Sequence, residues 1–317
     1  MSGNSQAPRR AVVFAYHDIG VRCLETLLEL GIEISLVVTH QDSESEQIWF
    51  DSVEEVAKKN GIEVIKPENV NAANVVEQVT QCEPDYIFSF YYRQMMGQAL
   101  LDIPAKGAFN LHGSLLPKYR GRVPVNWAII HGEKETGVSL HRMELKPDAG
   151  DLLAQAAVSI LANDTAHDVF QKLKCVSENL LIEVVPEMLA GRIFETPMSL
   201  EDGSYYSGRK PEDGRINWQM SASDIHNLVR AVAPPYPGAF FEAGSHRVDV
   251  LGSYIKGEKA RFGEPCIYSD GEYFQADCSD GWRFMITHML IDGAKADSTL
   301  FQTTFGQRLV LDTENDS

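Results

Sequence analysis

Four apolar runs of strand length, separated by stretches with helical spacing, fill residues 11–90 and leave few folds open to this chain. Residues 11–16 read as a buried strand, and 20–30 as a helix carrying Leu24, Leu27 and Leu28 on one face. A second strand at 32–38 follows, then a helix over 52–60 and a strand at 62–65. A helix over 72–81 leads into a fourth strand at 85–90. Alternation of this kind predicts the α/β class: a Rossmann-like, mostly parallel sheet with helices on both faces. Ligands on such open sheets sit beyond the carboxyl ends of the strands. That is where Tyr16, His17 and the loop after Phe90 would lie.

Farther along, 137–143 and 152–160 read as two strands around a turn at Asp148, and 165–190 as a long helix capped by Asp164. Residues 196–214 are polar and rich in Gly and Ser, an irregular connector before a helix over 221–233, which Pro234-Pro-Tyr-Pro-Gly238 ends. Short alternating runs at 247–251 and 282–286 predict a small C-terminal β-barrel of OB-like type.

The chemistry concentrates in Asn110-Leu-His-Gly-Ser-Leu-Leu-Pro-Lys-Tyr-Arg-Gly121, which sets an amide, an imidazole and two cations around a glycine turn. Asn110 and His112 are two apart at the end of the strand-like run 107–112, so they point to one side, and Gly113 lets the chain turn sharply beside them. Taken alone, the pair reads as turn residues satisfying backbone groups. Asp148 shifts the balance, because it sits in a second turn bounded by proline and glycine, Lys146-Pro-Asp-Ala-Gly-Asp151. A carboxylate and an imidazolium favour each other's charged forms, and an amide donates to a developing oxyanion, so convergence of the three would make machinery for acyl transfer.

At these residues the chain resembles the folate-dependent formyltransferases, whose catalytic trio is Asn, His two residues on, and a later Asp. The stretch Ser114-Leu-Leu-Pro-Lys-Tyr-Arg-Gly121 matches the pattern shared by methionyl-tRNA and sugar N-formyltransferases. Val13-Phe-Ala-Tyr-His-Asp-Ile-Gly20 and Ile87-Phe-Ser-Phe-Tyr-Tyr-Arg93 are most similar to the formyltransferase half of bifunctional enzymes acting on UDP-4-amino-4-deoxy-L-arabinose. With no decarboxylase half in 317 residues, a stand-alone sugar N-formyltransferase is expected. The resemblance implies a flexible segment at 1–10, a formyltransferase catalytic domain at 11–195, a connector with a helix at 196–235 and an OB-like domain at 236–317. It further implies 10-formyltetrahydrofolate as co-substrate, a nucleotide-linked amino sugar as acceptor, a homodimer, and a place in lipopolysaccharide biosynthesis.

In that reading Asn110 and His112 stabilise a tetrahedral intermediate, and Asp148 orients or charges His112 and helps remove the amine proton. The folate would meet Gln94, Met95, Met96, Arg122, Glu144, Leu145, Lys146 and Pro147; Lys118 and Arg120, in the same loop as Arg122, are expected to be solvated. For the sugar nucleotide the candidates are Tyr16 and His17 after the first strand, with Arg209 and Arg215 gripping the diphosphate. No G-x-G-x-x-G follows the first strand, which disfavours a nicotinamide enzyme.

Composition narrows the partners. A formal charge of −17, from 28 basic and 45 acidic residues, disfavours broad nucleic-acid binding, whereas a few local cations suffice for a diphosphate. This weighs against the alternative, a methionyl-tRNA formyltransferase, as does the acidic excess over 240–317. Five scattered cysteines without CxxC spacing read as reduced, buried thiols, and the histidines show no metal-ligand spacing, so no metal is expected. No apolar run approaches the ~18 residues of a spanning helix and no signal peptide is evident. A cytoplasmic protein with no membrane contact is expected.

Overall fold

The computed structural model describes residues 9–42 and 48–311, so most of the expected flexible segment 1–10 lies outside the described residues. Two compact units interleave along the chain. One comprises residues through Pro124, Thr136–Val158 and Gln171–Tyr206; the other comprises Val125–Glu135, Ser159–Phe170 and everything from Ser207 on.

The first unit follows the expected alternation: β1 (Arg10–Ala15), α1 (His17–Glu29), β2 (Glu33–Val38), α2 (Val53–Lys59), β3 (Val64–Ile65), α3 (Ala73–Gln81), β4 (Tyr86–Phe90), α4 (Gln98–Leu101) and β5 (Gly107–His112). After β6 (Arg120–Gly121) and α5 (Pro124–Ile130), nearly all of which belongs to the second unit, come β7 (Glu135–Arg142), β8 (Leu152–Ser159) and α6 (Ala166–Leu189), whose first residues also belong there, then β9 (Tyr205–Tyr206). The main sheet has the order β3-β2-β1-β4-β5-β7-β8. β1 is parallel to β2 and β4, and β4 to β5, whereas β7 runs antiparallel to β5. Covered on both faces, β1 is buried from Ala11 to Ala15, which explains its unbroken apolar run. Its side chains Val12 and Phe14 pack with Leu36, Val38, Ile87 and Leu100.

Two local expectations change. Helix α1 starts at His17, three residues earlier than its apolar face suggested, with His17 itself at φ 68°. The cap of α6 is Thr165, whose Oγ1 accepts the Asp168 N–H at 3.2 Å while the Asp168 carboxylate accepts the Thr165 N–H at 2.9 Å. Asp164 instead accepts the Leu161 N–H at 2.7 Å.

In the second unit α7 (Ala222–Val232) packs Ile225, Leu228 and Val229 into a core with Val248, Phe284 and Ile286. The strands are β10 (Ala239–Ala243), β11 (His246–Lys259), β12 (Cys266–Ser269), β13 (Phe274–Asp277), β14 (Trp282–Ile291), β15 (Ala294–Lys295) and, after α8 (Ser298–Phe305), β16 (Arg308–Val310). They form one curled antiparallel sheet in the order β10-β11-β14-β13-β12-β16, the half-barrel expected of an OB-like domain. β11 and β14 are far longer than the short runs that signalled them, and register shifts between Val250 and Ser253 and again before Glu258 bend the pair.

All five cysteines are free, but Cys175 is exposed and Cys82 half-buried, so only Cys23, Cys266 and Cys278 match the expected burial. Among the described residues no helix is long and apolar enough to cross a membrane.

Candidate active site

Asn110, His112 and Asp148 converge on β5 where its parallel neighbour gives way to an antiparallel one. Asn110 lies inside the strand rather than at its end, flanked by Ser89 on β4 and His141 on β7, while His112 closes the strand opposite Ser139. Residues i and i+2 of one strand, and directly opposed residues of two, share a face. Asn110, His112 and His141 therefore project together, and the turn after β7 brings Asp148 to them. The His112 Nδ1 lies 3.5 Å from Asp148 Oδ1, and His141 Nε2 lies 3.6 Å from the same oxygen.

Hydrogen bonds fix which nitrogen does what. The His141 Nδ1 donates to the Arg142 carbonyl at 2.7 Å, so in the neutral ring Nε2 carries the lone pair, and the Asn110 amide donates to it at 3.1 Å. One of the two amide N–H bonds is thereby committed and the amide is oriented. On His112, Nε2 donates to the Tyr119 carbonyl at 2.9 Å, which turns Nδ1 toward Asp148.

Asp148 is buried to 14 % side-chain exposure, and its Oδ2 accepts the Gly121 N–H at 2.8 Å. Burial alone would push this carboxyl up. His112 foremost, joined by the Gly121 N–H, outweighs burial and holds it well below the usual carboxylate range.

The loop 113–121 that carries these contacts is stapled along its length. Ser139 Oγ donates to the Ser114 carbonyl and accepts the Leu116 N–H at 3.0 Å, and Gln155 donates to the Leu116 carbonyl at 2.9 Å. Ser204 Oγ accepts the Tyr119 N–H at 2.9 Å, and Tyr119 stacks on Tyr206. Gly113 is required for space rather than for a left-handed turn: a Cβ there would meet Tyr91 Oη at 2.2 Å. Gly121 is required for both, since its φ is +96° and a Cβ would meet the Tyr206 carbonyl oxygen at 2.2 Å.

Of the positions expected to meet the folate, Gln94 spends its side-chain oxygen on the Val70 N–H at 2.9 Å, and Met96 is buried in the core beside α4, which leaves its backbone for any ligand. Met95 is 50 % exposed, with its carbonyl accepting from Asn71. Arg122 and residues 144–146 are exposed and Pro147 is half-buried. Lys118 is exposed as expected, whereas Arg120 is not solvated: it is 9 % exposed.

Tyr16 and His17 enter an aromatic nest at the carboxyl end of β1. Tyr16 donates to Asp42 at 2.8 Å, meets His40 and Phe50 edge-on and carries the Arg93 guanidinium over its ring; His17 stacks on Phe50 with centroids 4.0 Å apart. Arg209 and Arg215 belong to the second unit. Arg209 lies over Trp127 and donates to the Asp213 carbonyl, and Arg215 is exposed, 3.3 Å from Glu242.

His141, Ser139, Gln155 and Ser204 escaped sequence reasoning. His141 had a signal: with β5 and β7 adjacent, it is the one imidazole able to face Asn110 across the strands.

Comparison with known proteins identifies the family. Residues 12–185 match the formyl transferase family model and 209–301 the formyl transferase C-terminal domain. Among solved structures, WlaRD, a sugar 3N-formyl transferase studied with dTDP and 5-N-formyl-THF, superposes with a TM-score of 0.69 at 20% identity, over 88% of this chain and 97% of that one. An N-formyltransferase from Helicobacter canadensis in complex with folinic acid and dTDP-3-aminofucose gives 0.68 at 21% identity, over 92% and 100%. HypX from Aquifex aeolicus gives 0.63 at 18% identity, over 94% of this chain and 48% of that one. The last three are likenesses of fold; the match to the family model spans more than half of the sequence, and on that ground the chain belongs to the formyl transferase family.

Proposed function

We propose that this protein transfers a formyl group from 10-formyltetrahydrofolate to the primary amine of a nucleotide-linked amino sugar, with a UDP-linked 4-amino-4-deoxy sugar such as UDP-4-amino-4-deoxy-L-arabinose as acceptor. The observation that carries this reading is the meeting of Asn110, His112 and Asp148 on one sheet face, in a chain of this family.

The residues fit a flat, partly apolar donor. Met95, Val123 and Leu145 are large hydrophobic side chains left exposed on the loop after β4, just beyond Gly121, and three residues before Asp148. Stranded apolar groups on loops leading to a polar cluster are the lining an aromatic ring system takes. The donor supplies an activated formyl carbon; the chain supplies the polar environment. The free N–H of the Asn110 amide is oriented for the formyl oxygen, where removing such a donor typically slows reaction by about a hundredfold or more. The amine must attack uncharged; as its bond to the formyl carbon forms, its proton passes to the Asp148 carboxylate, since both ring nitrogens of a charged His112 already carry protons, and a proton returns to N10 of the folate as the C–N10 bond breaks. The same carboxylate charges and orients the His112 ring through Nδ1, so Asp148 serves as orienter and as proton acceptor.

The test is a mass-spectrometric screen in which 10-formyltetrahydrofolate is offered with UDP-4-amino-4-deoxy-L-arabinose, dTDP-3-aminofucose or charged initiator tRNA. Formylation of the UDP sugar is expected. Formylation of the tRNA alone would overturn the reading, and preference for the dTDP sugar would overturn the choice of acceptor.

A further inference from the structure

We propose that Arg120 binds an oxyanion of the acceptor, the diphosphate of the nucleotide-linked sugar, beside the transfer site. The inference rests on the reading above and deepens it, since nothing in that reading assigns a role to this residue.

Arg120 is 9 % exposed, and its Nε is buried without a hydrogen-bond partner. Among the described residues its side chain forms no ion pair, and its hydrogen bonding is confined to the backbone, where its N–H meets the Ser204 carbonyl at 3.0 Å. A buried N–H without a partner is destabilising unless a ligand supplies the acceptor.

The chain around it is held in place. Tyr119, before it, receives the His112 Nε2–H on its carbonyl; Gly121, after it, donates to Asp148. The two-residue strand pairs Arg120 with Tyr205 and Gly121 with Tyr206. Arg120 is therefore presented from a backbone locked on both sides to the groups that would handle the formyl carbon, with little freedom left to lose on binding.

The fork of donors on a guanidinium matches phosphate and carboxylate oxygens bidentately. Both substrates carry such groups: the diphosphate of the sugar nucleotide and the glutamate tail of the folate. Reach favours the first. A diphosphate is separated from a 4-amine by one sugar ring, whereas the folate carboxylates lie beyond a benzoyl ring and an amide from N10. A chain of formal charge −17 also needs a dedicated local cation to hold a diphosphate.

The experiment compares the full chain with Arg120→Met and Arg120→Lys, measuring melting temperature and, by calorimetry, affinity for UDP, dTDP, inorganic pyrophosphate and p-aminobenzoylglutamate. Without ligand, Arg120→Met is expected to melt no lower than the wild type, because it removes a buried N–H that has no partner. Its affinity for UDP, dTDP and pyrophosphate should fall by about tenfold or more, the scale of a lost charge-assisted pair. Arg120→Lys should keep part of that affinity, and p-aminobenzoylglutamate should bind all three equally. A wild type that binds none of the phosphate probes, or binds them no better than Arg120→Met, overturns the inference, as does a loss confined to p-aminobenzoylglutamate. The two levels separate cleanly. A wild type that formylates amino sugars yet binds UDP identically without the guanidinium sinks this inference alone, while Arg120-dependent UDP binding with no transfer to any amino sugar sinks the functional reading alone.

Discussion

Two buried arginines, one in each unit, show opposite solutions to the same problem. Arg230, 3 % exposed on α7, has every nitrogen occupied: Nε and Nη2 donate to Asn227 Oδ1 at 3.0 and 2.8 Å, and Nη1 donates to the Asp164 carbonyl at 2.9 Å. Beside it His226 donates from Nε2 to the Ala162 carbonyl at 2.9 Å and has Nδ1 2.8 Å from Ser253 Oγ, the pattern of a neutral ring. That network closes on itself. Arg120, by contrast, buries its Nε without a hydrogen-bond partner. Satisfied polar groups in an interior specify structure, whereas unsatisfied ones are held for something that arrives later.

The contrast is sharpest in a pair of variants scored for both turnover and stability. Asp148→Asn should slow formyl transfer by about a thousandfold, within the usual span for loss of an acid–base pair, and should also lower the melting temperature, because the depressed carboxyl stabilises the fold at neutral pH. If turnover survived, the assignment of the first unit's cluster to catalysis would be wrong. Arg230→Met is the mirror image: it orphans Asn227 and a buried carbonyl, and should lower stability by about 3 kcal/mol in denaturant titrations.

Acid separates the two regions next. Burial, chiefly, lowers His226 to about 4 from an ordinary 6.5, so between those values the unfolded chain holds a proton the folded chain refuses. Stability present above pH 6.5 is thus lost as pH falls toward 4, by about 3 kcal/mol in total, and His226→Gln should flatten that slope. The depressed Asp148 carboxyl contributes stability above the ordinary carboxylate range and loses it only on stronger acidification. A pH series of melting curves on wild type and the two variants would show whether the losses fall in that order.

The smallest effect expected is at His141. His141→Phe should slow turnover by about tenfold, the worth of one hydrogen bond that orients the Asn110 amide, and His141→Gln, whose carbonyl can accept the same N–H, should restore most of it. Equal loss in both would deny His141 a positioning role.

The sequence disclosed most where a pattern repeats. The alternation over residues 11–90 yields β1 to β4 within a few residues, because a strand buried on both faces reads as one apolar run. The Asn110, His112 and Asp148 cluster was visible because its members stand in short turns bounded by glycine or proline. What stayed hidden depends on pairing across distance. His141 becomes relevant only when β7 turns antiparallel against β5, and Ser204 only when β9 pairs with β6. Arg120 read as a surface cation because a charged residue between a tyrosine and a glycine carries no periodic signal of burial. The length of β11 was missed for a related reason, since its register shifts break the alternation on which strand detection relies.

The opposition of Asn110 and His141 has a consequence for how such chains can change. Because side chains alternate faces, lengthening the stretch between β5 and β7 so that the pairing slipped by one rung would send the imidazole to the far side of the sheet, while a slip of two would keep its face but carry it past the amide. The register of β5 against β7 is thus itself part of the reagent.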